Sequence, residues 1–254
     1  MKFEDNFSAQ SKQYARFRPQ YPDALYEFLA SLVKDRSLVW DCGTGNGQAA
    51  VSLAKYFAQV YATDASAEQI ANVYPHEKVE YHVEPAEHVG LETGSVDLVT
   101  VAQAVHWFDF DNFYTEVKRV LKPDGILAVW TYGLPKISPR VDDAIKHMYF
   151  DVLSGFWPER IHYVEEQYHT LPFPFEEIIP STFSMEAMWD RNQLAGFLDS
   201  WSATQKYSQK KSRHPLEEVW DDISDDWKDE NEKRSVHWQL YFRIGRKLMK
   251  VGSS

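Results

Sequence analysis

The stretch Val39-Trp40-Asp41-Cys42-Gly43-Thr44-Gly45-Asn46-Gly47 runs from an apolar strand into a turn with glycine at every second position, and then into a helix. Glycine adopts backbone angles that a Cβ forbids, and it lets the main chain approach a ligand closely at the carboxyl end of a strand. This stretch therefore predicts a parallel α/β sheet with a nucleotide-type site at its mouth.

The spacing of the glycines separates two kinds of nucleotide ligand. A dinucleotide-binding turn, G-x-G-x-x-G, needs a glycine at position 48, whereas the chain has Gln48 and places its third glycine at Gly47. A pyrophosphate also favours a helix N-terminus without negative charge, and Asp41 lies two residues before the first glycine. A carboxylate here suits an ammonium or sulfonium group. S-adenosylmethionine carries both and no phosphate, so the local charge favours it over NAD.

Written as D-x-G-x-G-x-G, the stretch resembles the first motif of the class I S-adenosylmethionine-dependent methyltransferases. The next predicted strand, residues 60–63, ends at Asp64, 17 residues after Gly47. An acid at this place can accept both ribose hydroxyls, although NAD-binding folds share the feature. Asp64 also stands where it could cap the following helix, so both interpretations stay open.

The composition limits the partners and the compartment. The 254 residues are 44% hydrophobic, which suits one domain over 1–254, and 38 acidic against 27 basic residues give a net charge of −11. This charge repels nucleic acid and anionic membranes, so the expected partner is a small molecule that accepts a group from the cofactor. The chain is expected to be a monomer or a homodimer. Cys42 is the one cysteine, which excludes an internal disulfide. Without an apolar leader or an 18-residue apolar run, a cytoplasmic protein is expected.

Helical and strand patterns alternate over the first half, which is typical of a parallel sheet covered on both faces. The predicted helices are 21–33, 48–57, one from about 66, and 110–121; the predicted strands are 38–41, 60–63, 79–83, 96–101 and 126–132. Two further strands, 178–188 and 236–244, are expected to form an antiparallel pair. The fold class is thus α/β: a doubly wound, mostly parallel seven-stranded sheet. Two helical insertions, 137–176 and 190–232, together termed the cap, are expected to fold over the ligand crevice.

A second signature is Ala102-Gln103-Ala104-Val105-His106-Trp107-Phe108, at the exit of the fourth strand. It resembles a small-molecule subgroup of the same family that includes trans-aconitate methyltransferase-like proteins. The phrases at residues 7–10 and 18–22 resemble the same subgroup. Together the resemblances imply cofactor contacts at Asp41, Gly43, Thr44, Gly45, Asp64, Ala65, Ala86, Glu87 and Gln103. The family often has glycine or aspartate before the Ala86-Glu87 step, where this chain has Glu84-Pro85.

The expected substrate residues are Tyr14, Arg18, His106, Trp107 and Tyr132. The aromatic side chains can form walls around the sulfonium cation and the methyl acceptor. Arg18 either pairs with a substrate carboxylate or makes contacts at the protein's own surface, and both interpretations stay open. His106 is the candidate general base, although a histidine beside a tryptophan can equally be a packing residue. The acids near Asp109 are expected to cap a helix, so no metal is predicted.

Methyl transfer from a sulfonium is an in-line displacement, so positioning carries most of the rate. The expected activity is S-adenosylmethionine-dependent methylation of a small molecule, with S-adenosylhomocysteine as the product. A carboxylate oxygen is the favoured acceptor, and a hydroxyl and an amine stay open as alternatives. Two alternatives stay open: an NAD-dependent oxidoreductase on a related fold, and a non-catalytic S-adenosylmethionine-binding protein.

Overall fold

The computed structural model describes residues 18–247, and their strands form one mixed sheet in the order β3-β2-β1-β4-β5-β8-β6, with β7 paired to β8. Strands β1 to β5 are parallel to one another, and β8 runs antiparallel to β5, β6 and β7. The strands are β1 Leu38–Cys42, β2 Gln59–Asp64, β3 Val79–Val83, β4 Val96–Ala102, β5 Leu121–Tyr132, β6 Glu176–Glu177, β7 Ser184–Trp189 and β8 Arg234–Arg246.

The predicted α/β class with a mostly parallel sheet is confirmed, and the strand count differs from seven by one. Of the predicted strand at 178–188, only the part from Ser184 is a strand, in β7; β6 ends just before residue 178, and the segment between β6 and β7 contains Pro180. Proline has no N–H to donate to a ladder, so it interrupts pairing inside a strand. The other difference is that β5 begins at Leu121 rather than at residue 126, so it includes residues 122–125, among which Asp124 is in the left-handed region.

Nine α-helices are present in the described range. They are α1 Asp23–Ser31, α2 Gln48–Leu53, α3 Ala67–Ala71, α4 Phe110–Val120, α5 Pro139–His147, α6 His162–Glu165, α7 Arg191–Asp199, α8 Ser202–Lys211 and α9 Trp220–Asp226. The prediction that Asp109 is a helix N-cap is confirmed, because its side chain accepts the Asn112 backbone N–H at the start of α4. Between residues 18 and 247, no helix combines the length and the apolar character needed to cross a membrane.

Apolar clusters cover both faces of the sheet. Along β5, Ile126 and Trp130 pack into the cluster on one face, while Leu127 and Val129 pack into the cluster on the other. This alternation follows from the two-residue period of a strand. Since both faces are buried, the central strands are nearly continuous apolar runs, and the first six residues of β4 are all buried.

The order of the strands determines where the ligand crevice lies. From β1 the chain moves outward through β2 to β3, and then returns to place β4 on the other side of β1. Such a reversal opens a crevice outside the carboxyl ends of the two central strands. The glycine turn follows β1, and the segment with His106 follows β4, so both sequence signatures meet at this crevice.

Candidate active site

The glycine turn curls over the end of β1 against β2. Gly43, Gly45 and Gly47 have φ values of +68°, +58° and +85°, in the region that side chains disfavour. The Thr44 N–H donates to the Thr63 carbonyl over 2.9 Å, and the Gly47 N–H donates back to the Thr44 carbonyl over 3.0 Å. The turn is therefore held by backbone contacts and leads directly into α2.

Asp41 lies beneath this turn rather than on its surface. Its Oδ2 accepts the Thr44 hydroxyl over 2.6 Å and its Oδ1 accepts the Thr100 hydroxyl over 2.8 Å, and the residue is 1% exposed. Burial raises the pKa of the carboxyl to about 6, and the two hydroxyls oppose that rise. Asp41 thus places a negative charge under the crevice and orients Thr44 from below.

Asp64 ends β2 with its carboxylate turned toward the turn. Its Oδ2 accepts the Gly45 N–H and its Oδ1 accepts the Ser66 N–H, each over 2.9 Å. The N-cap residue of α3 is Ser66, whose hydroxyl oxygen accepts the Gln69 N–H over 3.3 Å. The interpretation of Asp64 as the N-cap of this helix is therefore wrong. A carboxylate has about four acceptor sites, which leaves capacity for ligand hydroxyls. Ala65 follows and is exposed.

The two acids after β3 already have partners within the chain. Glu87 Oε1 accepts the Asp109 N–H over 2.9 Å, which ties this loop to the start of α4. Glu84 accepts the Tyr61 hydroxyl and the Gly90 N–H over 3.0 to 3.1 Å. Ala86 is buried between them. The contact of Ala86 and Glu87 with the cofactor stays a prediction.

A cavity of about 330 Å³ lies between the strand ends and the cap. The sheet side contributes the residues expected at the substrate, Arg18, His106, Trp107 and Tyr132, together with Gln103, which was expected at the cofactor. Tyr14 lies outside the described residues. The remaining wall is mainly aromatic and comes from the cap and β8: Tyr149, Phe150, Trp157, Phe197, Trp201 and Tyr241.

His106 is buried at the cavity wall in a short helical turn after β4. Its Nδ1 is 2.9 Å from the Tyr168 hydroxyl, and its ring centroid is 4.8 Å from that of Trp107. Burial, together with a smaller effect of the Arg160 guanidinium, lowers the pKa of His106 to about 3, so the imidazole is neutral at physiological pH. Arg160 donates to the Phe108 carbonyl over 2.5 Å, which attaches the cap to this segment.

Arg18 lies in the wall of the cavity and not on an outer surface. It donates to the Tyr132 hydroxyl, and its guanidinium carbon is 5.3 Å from the Phe197 ring centroid. The cap and the end of β5 therefore hold this cation in an aromatic environment near the strand ends.

Sequence reasoning did not identify several residues of this site. Thr131 and Tyr168 are fully buried and hydrogen-bonded within it, and no motif marks either residue. The aromatic residues of the C-terminal half divide between the cavity and the core. Trp157 and Trp201 line the cavity. Phe156, Phe173, Phe175 and Trp189 pack elsewhere in the two clusters, and Trp130 is likewise in the core. Within residues 18–247, no set of three His, Cys, Asp or Glu side chains is arranged to hold a metal.

Comparisons with known proteins agree with this geometry. The methyltransferase domain family model matches residues 40–129. A Dictyostelium discoideum protein named as a methyltransferase is 38% identical over 222 residues, which cover 86% of this chain and 84% of that protein. A Saccharomyces cerevisiae protein named as an S-adenosylmethionine-dependent methyltransferase is 31% identical over 141 residues, or 52% and 48% of the two chains. A solved structure described as a type II methyltransferase from Anaeromyxobacter dehalogenans has a TM-score of 0.85 and 38% identity, and covers 91% of this chain and 99% of its own.

Proposed function

This chain belongs to the class I S-adenosylmethionine-dependent methyltransferases, and from that premise we propose that it methylates an oxygen of a small organic acid bound between the sheet and the cap. The family excludes the NAD-dependent oxidoreductase alternative and makes the chain an enzyme rather than a binding protein. The closer resemblance to trans-aconitate methyltransferase-like proteins stays a prediction.

The residues at the crevice fit S-adenosylmethionine. A Cβ built on Gly45 meets only Gln69 Oε1, at 4.0 Å, so this side of the turn is open. That Gln69 oxygen is buried and has no hydrogen-bond partner in the described part of the chain, so it can receive a donor from a ligand. When bound, the cofactor supplies a methyl group on a sulfonium and leaves as S-adenosylhomocysteine. We assign it Asp41, Gly43, Thr44, Gly45, Asp64, Ala65, Ala86, Glu87 and Gln103.

The proposed substrate class rests on one observation, which is that the guanidinium of Arg18 lies in an aromatic cavity. Three side chains that line the cavity carry a formal charge: Arg18, Lys146 and Glu165. Lys146 is paired with Asp143 over 2.8 Å, and Arg18 donates to the Tyr132 hydroxyl. Arg18 is the one of the three beside the strand ends, and a guanidinium binds a carboxylate in a fork geometry. The aromatic walls suit an apolar or aromatic body on the same molecule.

An organic acid offers two kinds of acceptor oxygen. A carboxylate is already ionised at neutral pH, so ester formation needs no base and is the simplest form of the activity. A hydroxyl must lose its proton to a neighbouring group. In either case the aromatic walls and Arg18 orient the acid, and the cap excludes water. Good orientation of this kind is worth up to roughly 7–11 kcal/mol of barrier.

Replacement of Arg18 tests the acid class. We expect Arg18→Gln to raise KM for acid substrates by about ten- to a hundredfold, since a hydrogen bond to a charged group is worth about 1.5–3 kcal/mol. The measurement is transfer of labelled methyl from S-adenosylmethionine to benzoic, hydroxybenzoic, alkanoic and hydroxyalkanoic acids, each compared with its primary amide.

Arg140→Gln is the matched control, because Arg140 pairs with Asp222 and Asp225 on the outer side of the cap and should leave KM unchanged. If wild-type enzyme methylates amides as well as acids, or methylates none of the acids, the proposed substrate class is wrong.

The buried charge of Asp41 predicts a pH-dependent affinity. Because its folded pKa is about 6, about a tenth of the carboxyl is ionised at pH 5, and a cationic ligand favours the ionised form. We expect calorimetric affinity for S-adenosylmethionine to rise by up to about tenfold between pH 5 and pH 7.5. Asp41→Asn should bind more weakly at pH 7.5 and lose this rise.

The raised pKa of Asp41 also predicts how the stability of the protein changes with pH. The folded pKa of Asp41 lies above its unfolded value of 3.8, so its contribution is complete below pH 3.8 and is lost as the pH rises through about 6. The Tm of Asp41→Asn relative to wild type should therefore increase from pH 5 to pH 7.5. A constant difference in Tm, together with a flat wild-type affinity, would contradict a buried titrating carboxyl.

A further inference from the structure

Three aromatic side chains of the cap meet in the wall of the cavity. Tyr149, Trp157 and Trp201 all line the cavity, and their ring centroids are 4.4 to 5.7 Å apart. The planes of the Tyr149 and Trp157 rings are 31° apart, whereas the Trp201 ring is turned by 88° from that of Tyr149. The three rings therefore form two walls at nearly a right angle, and we call this set the aromatic corner.

Local structure orients these rings. Tyr149 belongs to a π-helical turn, Met148–Val152, and Phe150 of the same turn also lines the cavity. Such turns are rare and often occur at functional sites. The Trp157 indole N–H donates to the Tyr149 carbonyl over 3.0 Å, and Trp201 directly precedes α8. Tyr149 and Trp201 are 7% and 6% exposed, so their neighbours in the cap enclose both rings.

Phe197 joins the aromatic corner to the Arg18 cation. The Phe197 ring centroid is 5.8 Å from that of Trp201 and 5.3 Å from the guanidinium carbon of Arg18. Phe197 is itself buried and lines the cavity. One side chain thus separates the proposed carboxylate anchor from the corner. An acid with its ring attached to the carboxylate directly or through a short link would contact both.

The angle between the walls favours a planar aromatic body over a saturated one. Aromatic pairs prefer offset-stacked or edge-to-face arrangements, with centroids about 4.5–7 Å apart, and these contacts add to the gain from buried apolar area. A planar ring that stacks on one wall of the corner presents its edge to the perpendicular wall, so it makes both contacts at once. A saturated ring or an alkyl chain gains from burial alone.

The size and charge of the cavity argue against two other kinds of ligand. Its volume of about 330 Å³ lies at the lower end of the range of about 300–1,000 Å³ for ligand pockets, which suits one ring better than a long acyl chain. Burial raises the pKa of the Tyr149 hydroxyl, so the corner is uncharged at neutral pH. Cations also bind aromatic faces, but the Arg18 guanidinium beside Phe197 would repel them.

We propose that Tyr149, Trp157 and Trp201 determine the specificity of the cavity and select acids with a single aromatic ring close to the carboxylate. This inference rests on the proposed function and narrows its organic acids to that class. The carboxylate binds at Arg18, beside the strand ends, and the ring occupies the aromatic corner in the cap. The end of the substrate nearer the cofactor crevice is therefore the carboxylate.

A matched pair of acids tests the corner by binding, without turnover. Benzoic acid and cyclohexanecarboxylic acid have the same carbon skeleton and charge and differ in aromaticity. In calorimetric titration of protein saturated with S-adenosylhomocysteine, we expect benzoic acid to bind at least about tenfold more tightly. Trp157→Leu and Trp201→Leu should reduce this preference to less than about threefold, whereas Trp201→Phe keeps a ring and should retain most of it. Equal affinity for the two acids in wild type would overturn the proposal.

Trp220→Leu is the control for a general effect on the cap. Trp220 packs against Arg191 and lies outside the set of residues that line the cavity, so this variant should keep the wild-type preference. Circular dichroism and Tm show whether each variant is folded. An equal loss of preference in Trp220→Leu and Trp201→Leu would contradict a specific role for the corner. Tighter binding of benzylamine than of benzoic acid would assign the corner to a cation and overturn the proposal as well.

Transfer of labelled methyl separates the failure of this inference from the failure of the proposed function. Methylation of cyclohexanecarboxylic or alkanoic acids as efficiently as benzoic acid contradicts the selection of aromatic acids but leaves the proposed function standing. Preferential binding of benzoic acid without methylation of any acid contradicts the proposed function and leaves the corner as a site for aromatic acids. If benzoic acid neither binds nor accepts a methyl group, both are wrong.

Discussion

Replacing Asp64 by alanine should lower the affinity for S-adenosylmethionine by about two orders of magnitude or more while the protein stays folded. Asp64 is the last residue of β2, and its oxygens already accept the Gly45 and Ser66 N–H groups. The carboxylate is thereby held in one orientation at the crevice. Two hydrogen bonds from ribose hydroxyls to this charged acceptor would contribute about 1.5–3 kcal/mol each, and 1.4 kcal/mol is about tenfold in Kd.

Ser66→Ala is the control for the loss of local structure. It removes the hydroxyl that caps α3, at a cost of about 1 kcal/mol of stability, and leaves the Asp64 carboxylate in place. Calorimetric titration of both variants, with Tm from circular dichroism, separates binding from folding. If Asp64→Ala binds S-adenosylmethionine as tightly as Ser66→Ala does, Asp64 is not the ribose acceptor.

The sequence predicts the crevice well because its determinants are local. The glycines at 43, 45 and 47 must adopt positive φ wherever the turn forms, and Asp64 ends a strand that its own apolar residues define. The parallel strands are equally predictable from the sequence, because a sheet that is buried on both faces requires strands that are nearly continuous apolar runs. The same reasoning places Gln103 and His106 at the exit of β4.

The cavity is less predictable because its residues meet only through tertiary packing. Trp157 and Trp189 are both aromatic residues of the C-terminal half, yet the first lines the cavity and the second packs against Trp238 in the core. Their spacing along the chain carries no information about that difference. Tyr168 reaches His106 from 62 residues away, and only the folded cap makes that contact.

Asp41 illustrates a third limit of prediction from sequence, which concerns how deeply a side chain is buried. The sequence correctly suggests a negative charge near the first glycine. It does not reveal that the hydroxyls of Thr44 and Thr100 cover both carboxylate oxygens, or that burial raises the pKa to about 6. Thr100 comes from β4, the neighbour of β1, so this environment depends on strand order.

Alanine substitutions at Gly43, Gly45 and Gly94 should separate backbone strain, steric clash and ligand displacement. All three glycines have positive φ, between +58° and +68°. A Cβ on Gly94 meets nothing within 4 Å, so Gly94→Ala should show the strain alone, a loss of roughly 1–2 kcal/mol of stability. A Cβ on Gly43 would lie 2.6 Å from the Ala104 Cβ, which adds overpacking of about 1–3 kcal/mol.

Gly45→Ala should match Gly94→Ala in stability and differ from it in binding. Its Cβ would be 4.0 Å from the nearest atom, so the fold tolerates it, but the methyl group would fill the open side of the turn assigned to the cofactor. We expect Gly94→Ala to bind S-adenosylmethionine normally and Gly45→Ala to bind at least tenfold more weakly. Urea unfolding and calorimetric titration measure the two effects separately. Normal binding by Gly45→Ala would remove the turn from the cofactor site, and a Gly43→Ala variant no less stable than Gly94→Ala would contradict the close approach of the turn to the exit of β4.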